Sequence, residues 1–192
     1  MSTRRHGGTD VHCPACGGVV DDRIPRCRHC RFTGNDSVSM FSKEFFPLAP
    51  VLDTAELWTD AEIAKIRQVR SRFRKLFPQI RIFIETTNLP PNTSLPLYGF
   101  WRMNTAPLSA LENEDSRTWA CLLAIDAPSS RASITCGYRL ERWVEDASWQ
   151  AILQKSAKLW HSKGSAAFVL DFYKNAEKSL RDAWDRKIFR ST

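Results

Sequence analysis

The sequence predicts an α/β fold in which a small central sheet is sandwiched by helices and is preceded by a small cysteine-rich module. Three observations support this prediction. Over residues 51–188, short apolar or β-branched runs alternate with longer segments of helical periodicity. Four of the six cysteines form two closely spaced pairs near the N-terminus. The length of 192 residues allows one ordinary domain plus a small module.

The cysteine-rich module is defined by two CxxC pairs. Each pair can present two thiolates from one tight turn, and the short spacer lets the second turn complete a tetrahedron around one ion. We therefore predict a zinc ribbon over residues 11–34, with a flexible tail at residues 1–10. The predicted ligands are Cys13, Cys16, Cys27 and Cys30. Substitution of one ligand by His12 or His29 is the alternative. Two disulfides or a redox motif are less consistent with a chain that starts without an apolar signal segment or a βαβ context.

Residues 35–50 are predicted to be a linker, because Gly34-Asn35-Asp36-Ser37 has the composition of a turn. Three phenylalanines precede Pro47 and Pro50 and are expected to pack the linker onto the main domain. They are Phe41, Phe45 and Phe46.

A first helix of the main domain is predicted to begin at Thr59, since Thr59 and Glu62 form a capping-box pattern. Apolar residues recur behind them at helical spacing and predict one buried stripe. The stripe consists of Ile63, Ile66, Val69, Phe73 and Leu76. Pro78 then ends the helix.

The sheet is predicted from three runs. Residues 80–86 are rich in β-branched side chains, residues 119–125 are continuously apolar as in a central strand, and residues 132–136 alternate as a hairpin partner. Between the first two, the proline-containing residues 88–97 are predicted to be a loop, and residues 98–112 a helix that Pro107 interrupts. Two further cysteines, Cys121 and Cys136, fall in these strands and are expected to be buried thiols.

Two helices are predicted to complete the domain. Asp146 can cap the first, which Gly164 ends, and the second runs from about residue 166 to residue 188. Their inward-facing residues are expected to be Trp149, Ile152, Leu153 and Trp160 in the first helix, and Val169, Leu170, Tyr173, Leu180, Ala183 and Trp184 in the second.

The formal charge of +7 raises the question of nucleic-acid binding. One basic run contains no acidic residue, and a second at residues 174–190 is interleaved with acids. The first run consists of Lys65, Arg67, Arg70, Arg72, Arg74, Lys75 and Arg81. Because exposed aromatics or a known reader motif are not evident, solvated helix faces are the favoured interpretation. No apolar run approaches the roughly 18 residues that span a bilayer, so no membrane span is expected and the cytoplasm is the default compartment.

The segment that follows the central strand reads Ala127-Pro128-Ser129-Ser130-Arg131, then Gly137-Tyr138-Arg139-Leu140-Glu141 and Val144-Glu145-Asp146. With Val51-Leu52-Asp53 and the capping segment at Thr59, it resembles the TPM domain family, named for thylakoid-lumen, photosystem-repair and acetylcholine-receptor-modulator members. The resemblance covers roughly residues 50–187. It implies a small sheet between helices, and an activity that ranges in the family from acid phosphatase and calcium binding to interaction or assembly modules.

The acidic positions that match the family are Asp53, Glu141 and Asp146, with Asp126 as a further candidate at a strand end. Clustered carboxylates can bind Ca²⁺ or Mg²⁺, which can orient a phosphate. However, Arg139 replaces the second glycine of the family's G-x-G-L-E-like motif, and the turn at residues 112–115 contains no glycine. The alternative is that these acids are turn and cap residues.

The sequence therefore predicts a protein-interaction or assembly module with a protein partner. A metal-assisted, phosphatase-like hydrolase that uses Asp53, Glu141 and Asp146 is the second hypothesis. Nucleic-acid binding through the ribbon and the basic helix is the third.

Overall fold

A computed structural model describes residues 11–20, 24–41, 46–107, 117–141, 143–144 and 146–189; the side chains of Val11, Asp146 and residues 186–189 lie outside this description, as does the tail predicted at residues 1–10. The described strands are β1 (Val11–His12), β2 (Val19–Val20), β3 (Val51–Asp53), β4 (Arg81–Thr87), β5 (Ala120–Asp126) and β6 (Arg131–Cys136). The described helices are α1 (Gly34–Met40), α2 (Asp60–Leu76), α3 (Leu95–Thr105), α4 (Tyr138–Glu141) and α5 (Asp146–Phe189).

The main sheet has the strand order β3-β4-β5-β6. The first three strands run parallel, and β6 returns antiparallel to β5, with Ile125 opposite Ala132 and Cys121 opposite Cys136. Every residue of β5 is buried, which confirms the predicted central strand and its hairpin partner. The sequence prediction missed β3, because three residues are too few to show a period of two.

Helices cover both faces of this sheet, as predicted. Alternate strand residues such as Ile82 and Ile84 enter one apolar core, which also contains residues of α2 and α5. Phe83, which lies between them on β4, and its partner Leu122 on β5 enter a second core with residues of α3. This division follows from the two-residue repeat of a strand, which sends successive side chains to opposite faces. No helix within the described ranges has the length and apolar character that a membrane crossing requires.

The start of α2 confirms the predicted capping box. The Thr59 hydroxyl accepts from the Glu62 N–H at 3.3 Å, and the Glu62 carboxylate accepts from the Thr59 N–H at 2.9 Å. In the predicted stripe, Ile66 and Phe73 are buried, but Leu76 is 41% exposed. The prediction was wrong for Leu76 because the helix ends there and Phe77, the C-cap residue, turns into the core in its place.

Helix α3 begins within the stretch that was predicted to be a loop. Ser94 caps it by accepting from the Leu97 N–H at 3.3 Å, and Pro96 lies in the first turn, where a missing N–H costs nothing. The helix ends before Pro107; residues 108–112 of the predicted helix lie outside the described residues.

The two predicted C-terminal helices are the arms of α5. Gly164 separates them with φ of 86°, a left-handed backbone conformation that favours glycine. Most predicted inward-facing residues are buried, including Trp149 and Tyr173, but Trp184 is 47% exposed. The helical period predicts which face is apolar and does not reveal where the core stops.

The segment predicted to be a linker is folded against α3. It contains helix α1, whose first turn is closed by the Thr33 N–H donating to Asp36 at 2.7 Å. Phe41 stacks on Trp101 with ring centroids 5.1 Å apart, so it packs the segment onto the domain as expected. Phe46 does not, since its side chain is exposed and only its carbonyl oxygen accepts a bond, from Arg102. Phe45 lies outside the described residues.

Candidate metal centre

The four cysteines of the two CxxC pairs converge on one point. Their Sγ atoms all lie within 4.8 Å of one another. The Sγ of Cys13 is 3.7 Å from that of Cys30, and the Sγ of Cys16 is 3.8 Å from that of Cys27. A tetrahedron of metal–thiolate bonds of about 2.3 Å has edges of about 3.8 Å. The cluster therefore has the dimensions of a four-thiolate metal site.

The two pairs are held by matching turns. The Cys13 N–H donates to Gly18 O and the Gly17 N–H donates back to Cys13 O, both at 2.8 Å. The second turn repeats this pattern at 2.9 Å, from Cys27 to Phe32 O and from Arg31 to Cys27 O. The fifth residue of each turn has a left-handed backbone: Gly17 has φ of 72° and Arg31 has φ of 64°.

Backbone amides stabilise the thiolate form of Cys27. The Cys30 N–H, and then the His29 N–H, lower the pKa of the Cys27 thiol to about 6. For Cys30 the Phe32 N–H lowers the pKa, but burial and bonding among the thiols outweigh it and raise the pKa to about 12. The lowered pKa of Cys27 is the direction favourable to metal binding, because the thiolate is the form that binds a metal.

The neighbouring histidines have other roles in this arrangement. His12 Nδ1 lies 3.0 Å from Gly17 O, and the His29 ring packs so closely on Gly18 that a Cβ there would be 2.7 Å from it. Among the described residues, the four cysteines are the one group of three or more potential ligands that could hold an ion. The geometry therefore favours four cysteines over a mixed site.

Asp53 closes the β3–α2 connection. It ends β3, and its Oδ1 accepts from the Leu57 N–H at 3.1 Å while its Oδ2 accepts from the Trp58 N–H at 3.0 Å. The hydroxyl of Thr86 on β4 also donates to Oδ1. Both carboxylate oxygens are thus used to hold the chain at the carboxyl edge of the sheet.

Glu141 lies at the opposite edge. It ends α4, which follows β6, and the last residue of β6 pairs with Cys121 near the start of β5. Since β5 has seven residues, the two edges are about 20 Å apart. Glu141 is exposed, and the structure does not bring it together with Asp53. Asp146 begins α5, and its side chain lies outside the described residues.

Asp126 shares the carboxyl edge with Asp53 but lies two strands away, about 10 Å across the sheet. It is buried, its Oδ1 accepts from the Leu89 N–H at 3.0 Å, and its Oδ2 accepts from the Ser129 hydroxyl. Like Asp53, it closes loops at the strand ends.

The turn that carried the family resemblance is sterically constrained. A Cβ on Gly137 would collide with the carbonyl oxygen of Arg117 and lie 2.6 Å from that of Thr118. Glycine is therefore required at position 137, because the backbone that leads into β5 lies directly against it and leaves no room for a side chain. Arg139, which stands where the family has its second glycine, is half-buried on α4.

Sequence reasoning missed a buried polar network on the α3 face. The Arg102 Nε donates to both carboxylate oxygens of Glu85, at 2.9 and 3.0 Å, and Tyr98 donates to the same carboxylate. Glu85 is 3% and Arg102 is 2% exposed. Burial, together with the Glu85 charge, raises the pKa of Tyr98. Two features of the sequence could have indicated this network. Tyr98 and Arg102 are four residues apart and so share one face of a helix, and Glu85 is an acidic residue that directly follows the apolar residues 82–84 of a strand.

No protein-family model matches the chain, and no curated protein matches it by sequence. Two solved domains are similar in structure. The N-terminal domain of a protein from P. gingivalis has a TM-score of 0.55 at 16% identity, over 79% of this chain and 93% of that one. The N-terminal domain of the cg2496 protein from Corynebacterium glutamicum has a TM-score of 0.53 at 14% identity, over 72% of this chain and 85% of that one. At such identities the likeness concerns the fold alone.

Proposed function

We propose that this chain is a zinc-binding, TPM-like domain protein that acts as a cytoplasmic protein-interaction or assembly module. The sheet order, the helices on both faces and the constrained turn at Gly137 are compatible with the resemblance to that family. None of the six cysteines forms a disulfide, which is compatible with a reducing compartment.

Zinc is the proposed ion because four thiolates at tetrahedral spacing suit a d¹⁰ cation without a redox role. All four sulfur atoms face one another, so this set leaves no position for a substrate or a catalytic water. The ion would stabilise the ribbon, which the contact between the Phe32 and Phe100 rings, 6.2 Å apart, places against α3.

The hydrogen bonds of Asp53 are the observation that favours an interaction module over a hydrolase. Its two oxygens accept two backbone N–H groups and a hydroxyl, and these bonds hold a loop. A carboxylate that must orient a cation and a phosphate needs free lone pairs and a second acid within reach. Glu141 lies at the other edge of the sheet, and the length of β5 separates the two edges by about 20 Å.

The hydrolase hypothesis is tested with p-nitrophenyl phosphate and Mg²⁺ or Ca²⁺ over a range of pH. We expect no turnover above buffer in the wild type, in Asp53→Asn, or in the matched variant Asp60→Asn, whose acid is exposed at the start of α2. Turnover that Asp53→Asn abolishes and Asp60→Asn retains contradicts the proposal.

The interaction hypothesis is tested by cross-linking the tagged full-length chain in the cells that produce it, followed by mass spectrometry. We expect the same few proteins to be cross-linked in each repeat, and a weaker yield for Cys27→Ser, which removes a ligand from the ribbon. A wild-type chain that cross-links to no protein above a tag-only control refutes the interaction role.

A further inference from the structure

Three tryptophans form a continuous aromatic row at the amino edge of the sheet. Trp119 precedes β5, Trp143 follows α4, and Trp184 lies near the end of α5. The ring centroids of Trp119 and Trp143 are 5.9 Å apart, and Trp143 stacks on Trp184 at 5.3 Å with an interplanar angle of 23°. Nearly half of the Trp184 surface is exposed, so the row is open to solvent at one end.

The tryptophans border a small cleft whose other described walls are almost entirely apolar. Phe77, Ile80 and Leu180 line it together with the tryptophans, and Gln79 is the one polar residue among the described residues of the lining. Leu76, next to Phe77, is exposed as well. Trp184 and Leu76, the two apolar residues that helical periodicity wrongly predicted to be buried, therefore mark the same end of the molecule. Exposed aromatic side chains clustered with apolar ones are typical of a docking surface.

The side of the cleft formed by α2 is basic. Between residues 63 and 84 the chain has no acidic residue, and Arg72 and Lys75 are exposed in the last two turns of α2. On α5, Glu177 is engaged by Arg181 at 3.0 Å and lies 3.9 Å from Arg72. Among the α5 side chains that the structure describes here, the other charged residues are exposed and mixed in sign: Lys174, Lys178, Asp182 and Asp185. Among the described side chains, the positive charge is thus concentrated on the α2 side.

We propose that this basic–aromatic surface, formed by Trp119, Trp143, Trp184, Arg72 and Lys75, binds an acidic segment of a partner protein. An apolar side chain of that segment packs against Trp184, and its carboxylates face α2. The proposal rests on the interaction role proposed above and names the chemistry of the partner. Interface hot spots are enriched in tryptophan and arginine, and opposite charge around them fixes orientation and speeds association.

Two other occupants fit less well. A second copy of this chain would bring like charges together, because the chain carries a net charge of +7. Single-stranded nucleic acid needs open aromatic faces for its bases, but Trp143 and Trp184 stack on each other, and Ile80 and Leu180 offer aliphatic walls.

The test uses the full-length, zinc-loaded protein and an array of short fluorescent acidic peptides, each with one central apolar residue. Matched arrays replace the acids with glutamine or the apolar residue with serine. We expect both replacements to abolish binding, Trp184→Ala to weaken it at least about tenfold, and Lys75→Glu to weaken it several-fold, with the loss reduced at high salt. Phe46→Ala and Lys158→Glu, an exposed aromatic and an exposed lysine on other parts of the molecule, should bind like the wild type.

Equal binding by wild type and Trp184→Ala, equal binding of acidic and glutamine peptides, or no binding on any array overturns the proposal. Tryptophan-dependent binding of oligothymidylate in place of the peptides overturns it in favour of nucleic acid. The cross-linking experiment distinguishes failure of this surface assignment from failure of the proposed interaction role. If Trp184→Ala retains the cross-linked partners of the wild type, the module docks through another surface and this assignment alone is refuted.

Discussion

Removal of the proposed zinc ion is expected to unfold the ribbon and to leave the α/β domain folded. The Sγ separations of 3.7 and 3.8 Å correspond to a centre-to-sulfur distance of about 2.3 Å, the length of a zinc–thiolate bond. Structural zinc contributes on the order of 10–16 kcal/mol in small zinc-finger peptides. Within the described part of the ribbon, only Cys13 and Cys27 are buried, and their burial is worth at most a few kcal/mol. We therefore expect the proposed metal to supply most of the ribbon's stability.

The assay combines metal analysis, X-ray absorption and hydrogen exchange. We expect one zinc per chain with four sulfur neighbours, and loss of the metal in Cys27→Ser. In that variant the amides of Gly17 and Arg31, which close the two turns, should exchange rapidly, while the amides of β4 and β5 stay protected. The two apolar cores that hold these strands contain no ribbon residue. Cys136→Ser, which changes a thiol outside the cluster, should keep the metal.

Three results would refute this reasoning. Retained protection in the metal-free ribbon would show that another interaction holds the turns. A coordination shell with nitrogen in place of one sulfur would support a mixed site, and one metal per two chains would place the ligands on different molecules.

Further predictions concern backbone geometry and buried polar groups. Gly137→Ala should destabilise the domain by about 3 kcal/mol or more in urea unfolding, since two backbone carbonyls must move, whereas Gly34→Ala meets no atom within 4 Å and should be neutral or stabilising. Arg31→Gly should stabilise the metal-bound ribbon slightly and Gly17→Ala should weaken it by about 1 kcal/mol, because both positions have positive φ; equal effects in chelator competition would contradict this. Burial raises the pKa of Tyr173 in the folded protein above the value of about 10 that it has in the unfolded chain. The contribution of Tyr173 to the free energy of unfolding is therefore fully present below a pH of about 10 and is lost as the pH rises above that value. Its hydroxyl has no hydrogen-bond partner among the described residues, so Tyr173→Phe should be neutral or stabilising and should flatten this alkaline decline.

The sequence predicted those elements that carry a local signal. The Thr59 capping box, the glycine that ends the first arm of α5 and the continuously apolar β5 each depend on residues within one segment. The cysteine cluster was predictable for the same reason, since the spacing within each pair already determines a turn.

The rest depends on residues that are distant in the chain. Glu85 and Arg102 are 17 positions apart, and their pairing follows from the packing of α3 on the sheet. The acids at positions 53 and 141 could be assigned to opposite edges only once β3, which the sequence did not predict, was seen to run parallel to β4 and β5. The exposure of Leu76 and Trp184 could not be predicted from the sequence. Helical periodicity shows which face of a helix is apolar, but the size of the core decides how much of that face other residues bury.

The short strand β3 has a consequence for how the molecule avoids self-association. It pairs only with Ile84–Thr86 of β4 and is preceded by Pro50, which has no N–H with which to extend the ladder. Arg81 begins the part of β4 that β3 does not cover. A brief edge strand, a proline and a positively charged side chain are devices that keep an intruding strand from adding to a sheet. This edge of the fold is therefore protected against the edge-to-edge pairing that leads to aggregation.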